Sequence, residues 1–247
     1  MTRYAVVIPA LNEAGNIGAL VQETHDVLMD DPPVEIIVVD DGSDDGSADE
    51  VLALKNTVPQ MRLLSHDRRS GQSAAIRTAI HRTDADIIVT MDGDGQNPPD
   101  NIPALLAELR NADQTVLVNG WRTSRQAGAD RRFASRAANA IRKMVTRDDC
   151  PDSGCGLKAF YRRDYLMMPF FATMHRFMPA VFLIHGYPTR VVPVTDRDRA
   201  AGQSKYTNWK RALEGLYDLL GILWVRSRSR NPKVTERNSS QASDTQI

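Results

Sequence analysis

The sequence predicts an α/β protein: a mostly parallel sheet with helices on both faces. Three observations carry this. Short apolar, β-branched runs recur through the first half of the chain: YAVVI (4–8), EIIVV (35–39), MRLLS (61–65), DIIVT (86–90) and TVLVN (115–119). Stretches with helical periodicity separate them. The runs are almost continuously apolar rather than alternating, the pattern of strands buried on both faces.

Each element has its own signal. Residues 14–28 carry apolar side chains at 17, 20, 21, 27 and 28 and predict the first helix. Residues 47–54 predict a short second helix, with Ser43, Asp44 and Asp45 as candidate caps. Helices at 72–81 and 102–110 complete the alternation. From about residue 150 the pattern changes. CGLKAFYR (155–162) predicts a strand, 166–187 a broken apolar helix, YPTRVVPVTD (187–196) a strand, and WKRALEGLYDLLGILWV (209–225) the clearest helix. The polar, Ser- and Arg-rich stretch from 226 onward predicts disorder. The expected organisation is one domain over 1–206, an amphipathic helix over 207–226 and a tail over 227–247.

The chain has 247 residues, 42% of them hydrophobic, enough for a substantial core. Its formal net charge of zero hides an asymmetry. Residues 1–60 hold twelve acids against Arg3 and Lys55, whereas residues 121–147 hold eight bases against Asp130. An acidic end and an anion-attracting end follow. Cys150 and Cys155 are too few for a disulfide scaffold and lack zinc-cluster spacing, so reduced thiols are expected. The opening RYAVVIPA reads as a strand rather than a signal peptide, and no run approaches the roughly 20 apolar residues of a membrane span. A cytoplasmic protein is expected.

Ligands of such sheets bind at the carboxyl ends of the strands. Polar tips collect there: PALNE after the first strand, DDGSDDGS after the second, DGDGQ after the fourth. The last is the most demanding chemically. Asp92 and Asp94 end a buried strand, where an unpaired charge is costly, and no Lys or Arg lies between Arg82 and Arg110. A divalent cation, Mg²⁺ or Mn²⁺, with hard oxygen ligands would answer both problems, completed by substrate phosphate and water. Gln96 could add a carbonyl ligand, and Gly93 and Gly95 would let backbone approach a bulky ligand. Asp40 and Asp41 are placed to accept from a base or ribose hydroxyl. GxGxxG and P-loop patterns are both absent.

VVIPALNEAGNI, VVDDGSDDGS and TMDGDGQNPPD, in that order and spacing, resemble family-2 glycosyltransferases of the GT-A fold, whose sheet is Rossmann-like. The chain looks most like the polyprenyl-phosphate, dolichol-phosphate mannosyltransferase-like group over residues 3–226. RAAGQSKYTNW (199–209) matches that group's R-x-x-G-x-S-K pattern. DSGCGLKAF and MHRFMPAVF look closest to the bacterial undecaprenyl- and dodecaprenyl-phosphate branch. The resemblance implies that Pro9, Asn12, Glu13, Asp40 and Asp41 hold the nucleotide, and that Asp92, Asp94 and Gln96 hold the metal and diphosphate. It implies that Arg122, Arg131 and Ser135 meet the acceptor phosphate or the donor diphosphate, and that Arg199, Ser204 and Lys205 close over the phosphates.

The implied activity is inverting transfer from a nucleotide sugar to polyprenyl phosphate at the membrane surface, without nucleic acid. The branch favours a UDP-linked uronic acid or 4-amino-arabinose donor. The alternatives are GDP-mannose as donor, or a soluble enzyme acting on a glycan hydroxyl. Other family members often carry an acidic pair where this chain has His175 and Arg176, a departure that suits an anionic acceptor. Asp152 is a further candidate for sugar or acceptor contact. Leu213, Leu216, Leu220 and Leu223 form one stripe, bracketed by Trp209 and Trp224 with basic flanks, the pattern of a helix lying in a membrane surface. Related enzymes often continue into transmembrane helices; this chain is expected to be peripheral.

Overall fold

The computed structural model describes residues 2–123, 143–197 and 208–230. Its strands are β1 (Tyr4–Ala10), β2 (Glu35–Asp40), β3 (Met61–Ser65), β4 (Ile87–Thr90), β5 (Leu117–Arg122), β6 (Lys158–Tyr161) and β7 (Thr189–Val194). They form one sheet in the order β3-β2-β1-β4-β6-β5-β7. All the described pairings are parallel except those of β6, which runs antiparallel to both β4 and β5.

The helices are α1 (Ile17–Val27), α2 (Ser47–Ala53), α3 (Gln72–His81), α4 (Ile102–Arg110), α5 (Arg162–Leu166), α6 (Met174–Ile184) and α7 (Asn208–Arg228). They cover both faces of the sheet. Tyr4, Val6 and Ile8 of β1 pack with Ile17 and Leu20 of α1 and Leu105 and Leu109 of α4. Ala5 and Val7 point the other way, toward Ala75 and Ile76 of α3 and Phe177 and Phe182 of α6. Both faces of each central strand are therefore dry, which is why these strands read as unbroken apolar runs.

Within the expected broken helix over 166–187, only the later part is helical. The five-residue α5 ends near Leu166, and α6 starts only at Met174. The expected helix cap also differs. Gly46 occupies the N-cap of α2 in the left-handed region (φ 87°). Ser43 instead accepts the backbone N–H of Asn12 at 2.9 Å, while Asp45 does bond the Ser47 N–H at 3.0 Å.

The chain winds outward from β1 through β2 to β3, then returns to lay β4 on the other side of β1. Strand order reverses between β1 and β4, and a crevice opens at the carboxyl ends of strands flanking such a reversal. Both flanking loops, PALNE and DGDGQ, are among the polar tips.

Candidate active site

The acidic loop after β2 first serves the loop after β1. Asn12 sits in the left-handed region at φ 56°. Its side-chain oxygen accepts the Asp44 N–H at 3.1 Å. Ser47 accepts the Glu13 N–H at 2.9 Å, Asp45 the Ala14 N–H at 3.0 Å and Glu50 the Gly15 N–H at 2.6 Å. Much of this acidity thus satisfies exposed backbone donors of its neighbour. Asp40 accepts the Ser43 N–H at 3.1 Å. Asp41 accepts the N–H groups of Ser70 and Gly71 at 2.8 and 2.7 Å, and its Oδ1 lies 2.7 Å from Nδ1 of His66. Asp41 therefore fixes the turn that leads into α3.

The carboxylates after β4 are built differently. Gln72 at the start of α3 donates to Oδ1 of Asp92 at 2.7 Å. Gly156, just before β6, is required there: a Cβ at that position would stand 2.3 Å from Cγ of Asp92. Lys158, the first residue of β6, is 3% exposed and donates from Nζ to the Cys155 carbonyl. Burial pushes the Asp92 carboxyl above its ordinary pKa, and the neighbouring charge of Asp94 adds to it; Lys158, Gln72 and Arg122 pull the other way. Burial likewise depresses the Lys158 ammonium, against the attraction of Cys155 and Asp92. Asp94 accepts the Gln96 N–H at 3.1 Å, closing the tip of the loop.

Charge near Asp92 thus comes from across the sheet, where local sequence showed none. The glycines also differ from expectation. Space beside Gly93 is taken by the Pro9 carbonyl, 2.9 Å from a would-be Cβ. Gly95 adopts φ 72° to make a turn whose carbonyl accepts Nε of Arg197 at 2.5 Å.

These loops enclose a cleft of about 390 Å³. Among the residues read from sequence, it is lined by Pro9, Glu13, Asp41, Asp92 and Asp94. Asn12, Asp40, Gln96 and Arg122 stand outside that lining. Arg131, Ser135, Arg199, Ser204 and Lys205 lie outside the described residues. Arg69 and Gln72 join the cleft without having been singled out beforehand, and His175 and Arg176 line it as well.

Residues 5–171 match the family model described as glycosyl transferase family 2. The chain belongs to that family. It is 32% identical over 241 residues to the dodecaprenyl-phosphate galacturonate synthase of Rhizobium johnstonii, covering 92% of this chain and 68% of that protein. It is 34% identical over 231 residues to the undecaprenyl-phosphate 4-deoxy-4-formamido-L-arabinose transferase of Salmonella choleraesuis, covering 90% and 67%. Among solved structures it is similar to glucosyl-3-phosphoglycerate synthase from Mycobacterium tuberculosis, crystallised with Mg²⁺ and uridine diphosphate. There the TM-score is 0.69 at 19% identity, over 93% of this chain and 81% of that one. The protein is a family-2 glycosyltransferase with an α/β fold.

Two further groups belong to the description of this glycosyltransferase, one lining the cleft and one outside it. His175, in the first turn of α6, hydrogen-bonds Ser73 of α3 twice: Nδ1 is 2.7 Å from Oγ, and its backbone N–H donates to the same oxygen at 3.0 Å. Burial, then the charges of Arg176 and Lys158, lowers the imidazole pKa from 6.5 to about 3. It is neutral at physiological pH and a weak base. Arg122, expected on the acceptor phosphate, instead forms a two-pronged pair with Asp152, with Nε–Oδ2 at 2.7 Å and Nη2–Oδ1 at 2.9 Å. Burial opposes its charge, but the bonds and charge of Asp152 outweigh this and raise its pKa. The two residues singled out separately from sequence act as one unit that ties β5 to the turn before β6.

The end of β7 is fastened to the carboxylate loop. The Arg197 N–H donates to the Gln96 carbonyl at 3.0 Å, and its guanidinium grips Glu23 of α1 at 3.0 and 2.7 Å. Asn101 accepts the Thr195 N–H at 3.0 Å.

Of the residues that sequence reasoning missed, Lys158 left a signal: a lysine inside an otherwise apolar strand, LKAF. Gln72 left a weaker one, a polar side chain in the first turn of a helix that opens on a polar tip. Arg69 left none, since its loop reads as an ordinary solvated turn.

Proposed function

We propose that this glycosyltransferase moves a sugar from a nucleoside diphosphate donor to the phosphate of a polyprenyl phosphate, inverting the anomeric centre. The names of its relatives, which pair this family with dodecaprenyl and undecaprenyl phosphate acceptors, support the acceptor class. One observation in the cleft carries the chemistry. His175 and Arg176 line the cleft at the positions where, by the family resemblance, other members often carry an acidic pair, and His175 is held neutral and weakly basic. A phosphate monoester has a second pKa of about 6 and arrives already anionic. It requires positioning and charge screening rather than deprotonation. An acceptor phosphate oxygen forms the new bond to the anomeric carbon. The bond from that carbon to the donor diphosphate breaks, and the electron pair leaves on the diphosphate oxygen.

A divalent cation fits the carboxylates. Burial first, and then the charge of nearby Asp94, raises the pKa of Asp92, and Asp92 keeps Oδ2 outside its bond to Gln72. No group of three acidic, histidine or cysteine side chains suited to a metal occurs among the described residues. Two carboxylates with diphosphate and water oxygens is the arrangement Mg²⁺ or Mn²⁺ favours. Such an ion, when bound, would stabilise charge on the departing diphosphate. Pro9, Glu13 and Asp41 bound the side of the cleft that would receive the nucleoside, with uridine favoured by the branch resemblance. A uronic acid or 4-amino-arabinose type sugar follows from the same resemblance.

Access to a lipid acceptor would come through α7. Ile222 packs into the core with Leu219 and Val225 against it. Tyr217, Leu220, Leu223 and Trp224 are exposed, followed by Arg226, Arg228 and Arg230. The side chains of Leu213 and Leu216 lie outside those described. Among the described residues, no helix is long and apolar enough to cross a membrane. An aromatic and leucine face beside arginines suits the surface of an anionic bilayer at its inner, cytoplasmic face.

The deciding experiment incubates the protein with undecaprenyl phosphate, Mg²⁺ and a panel of labelled UDP- and GDP-sugars. Label extractable into organic solvent is expected from one UDP-sugar. No organic-extractable label from any donor, with the protein folded, would refute the acceptor assignment.

A further inference from the structure

The cleft carries both signs of charge in its lining. Asp92 and Asp94 in its lining are partly buried, whereas Arg69 and Arg176 in the same lining are exposed. Arg69 comes from the loop between β3 and α3, and Arg176 from the first turn of α6. Among the described residues, no carboxylate forms an ion pair with Arg176. Arg122 is committed to Asp152 and stands outside the lining.

The chain that enters this lining is apolar and exposed. Ala172 and Thr173 line the cleft. The segment leading to them exposes Leu166 (37%), Met167 (65%) and Phe170 (37%). The Arg77 guanidinium lies 4.4 Å from the Phe170 ring centroid, which holds a further cation next to this segment.

A polyprenyl phosphate combines a head carrying roughly −1.5 to −2 charge with a hydrocarbon chain. Recognising it takes cations directly beside exposed apolar surface, and this lining with the segment entering it offers that juxtaposition. We infer that Arg69 and Arg176 form the seat of the acceptor phosphate, and that Met167 and Phe170 receive the first isoprene units. This rests on the polyprenyl-phosphate reading above. It adds Arg69, which the family resemblance did not point to, to Arg176, which stood out as a departure suited to an anionic acceptor. The more buried carboxylates remain for the donor diphosphate and its metal, so the two anionic substrates meet within the cleft.

The test uses farnesyl phosphate as probe, titrated by calorimetry into protein loaded with UDP and Mn²⁺. Arg69→Ala and Arg176→Ala are each expected to weaken its binding by about tenfold or more. Arg176→Lys should recover part of the loss, and UDP–Mn²⁺ affinity should stay within about twofold of wild type. Phe170→Ser should weaken farnesyl phosphate and leave inorganic phosphate binding unchanged. Melting temperatures of all variants are compared, because a loss that tracks melting would make the effect merely structural and overturn the assignment. If the alanine variants lose UDP–Mn²⁺ affinity while farnesyl phosphate binding holds, the arginines belong to the donor and the seat is wrong. The two readings separate cleanly. Wild-type transfer to polyprenyl phosphate that is undiminished in both alanine variants removes the seat but keeps the substrate. Arginine-dependent farnesyl phosphate binding without any transfer to lipid keeps the seat but removes the substrate.

Discussion

At the scale of single residues, the floor of the cleft is a balance between burial and compensation. Asp92 is held by Gln72, crowded by Asp94 and attracted by Lys158, and the absence of a side chain at Gly156 gives it room. Because Lys158 lowers the Asp92 pKa, removing it should raise that pKa further. Lys158→Met is therefore expected to move the acid limb of kcat/KM against pH to higher pH. An unmoved limb in a folded variant would show that Lys158 does not tune Asp92. His175 gives a second, independent expectation. Its folded pKa of about 3 lies below the ordinary 6.5, so between these values the unfolded chain binds a proton that the native protein does not. Stability from this residue is complete above pH 6.5 and is lost as pH falls toward 3. Between pH 7 and 5 wild type should lose about 1 kcal/mol more than His175→Gln. Denaturant unfolding at the two pH values measures this, and equal losses would count against it.

At the scale of elements, α7 and β6 show what periodicity can and cannot give. The regular stripe of residues 209–225 predicted a helix, and α7 runs from Asn208 to Arg228. Which face is buried came only from packing: Ile222 turns inward, while Leu220 and Trp224 remain 58% and 64% exposed. If that face docks on lipid, Leu220→Glu with Trp224→Ala should reduce sedimentation with anionic vesicles by about tenfold and leave farnesyl phosphate binding intact. Retained sedimentation would place the membrane contact elsewhere. The pattern over 155–162 likewise predicts β6 but not its reversed direction, because strand polarity depends on the route of the chain between strands and not on the residues within one.

At the scale of the whole molecule, the site exists because the winding reverses between β1 and β4. Metal and nucleotide are expected to act together there. Wild type should gain several degrees in melting temperature from UDP with Mn²⁺ and little from either alone. Asp94→Asn should abolish that gain, lower turnover by about 10³-fold and leave the unliganded melting temperature within about 2 °C. A full thermal response in Asp94→Asn would remove it from the metal site.

The fold class was legible from the chain because buried parallel strands and amphipathic helices leave unmistakable local patterns. The DGDGQ, PALNE and DDGSDDGS tips were legible for the same reason, as polar residues at strand ends. What local order could not show was which distant groups meet. Lys158 reaches Asp92 only through the pairing of β6 with β4, Arg122 meets Asp152 only across β5 and the turn before β6, and Arg69 joins Arg176 only where α3 and α6 flank one cleft. Local pattern along the chain revealed most of the elements, the carboxylate pair and the family. Tertiary structure decided which charges surround that pair, because electrostatic energy depends on separation in space, and Lys158 and Arg122 reach Asp92 from other strands of the sheet.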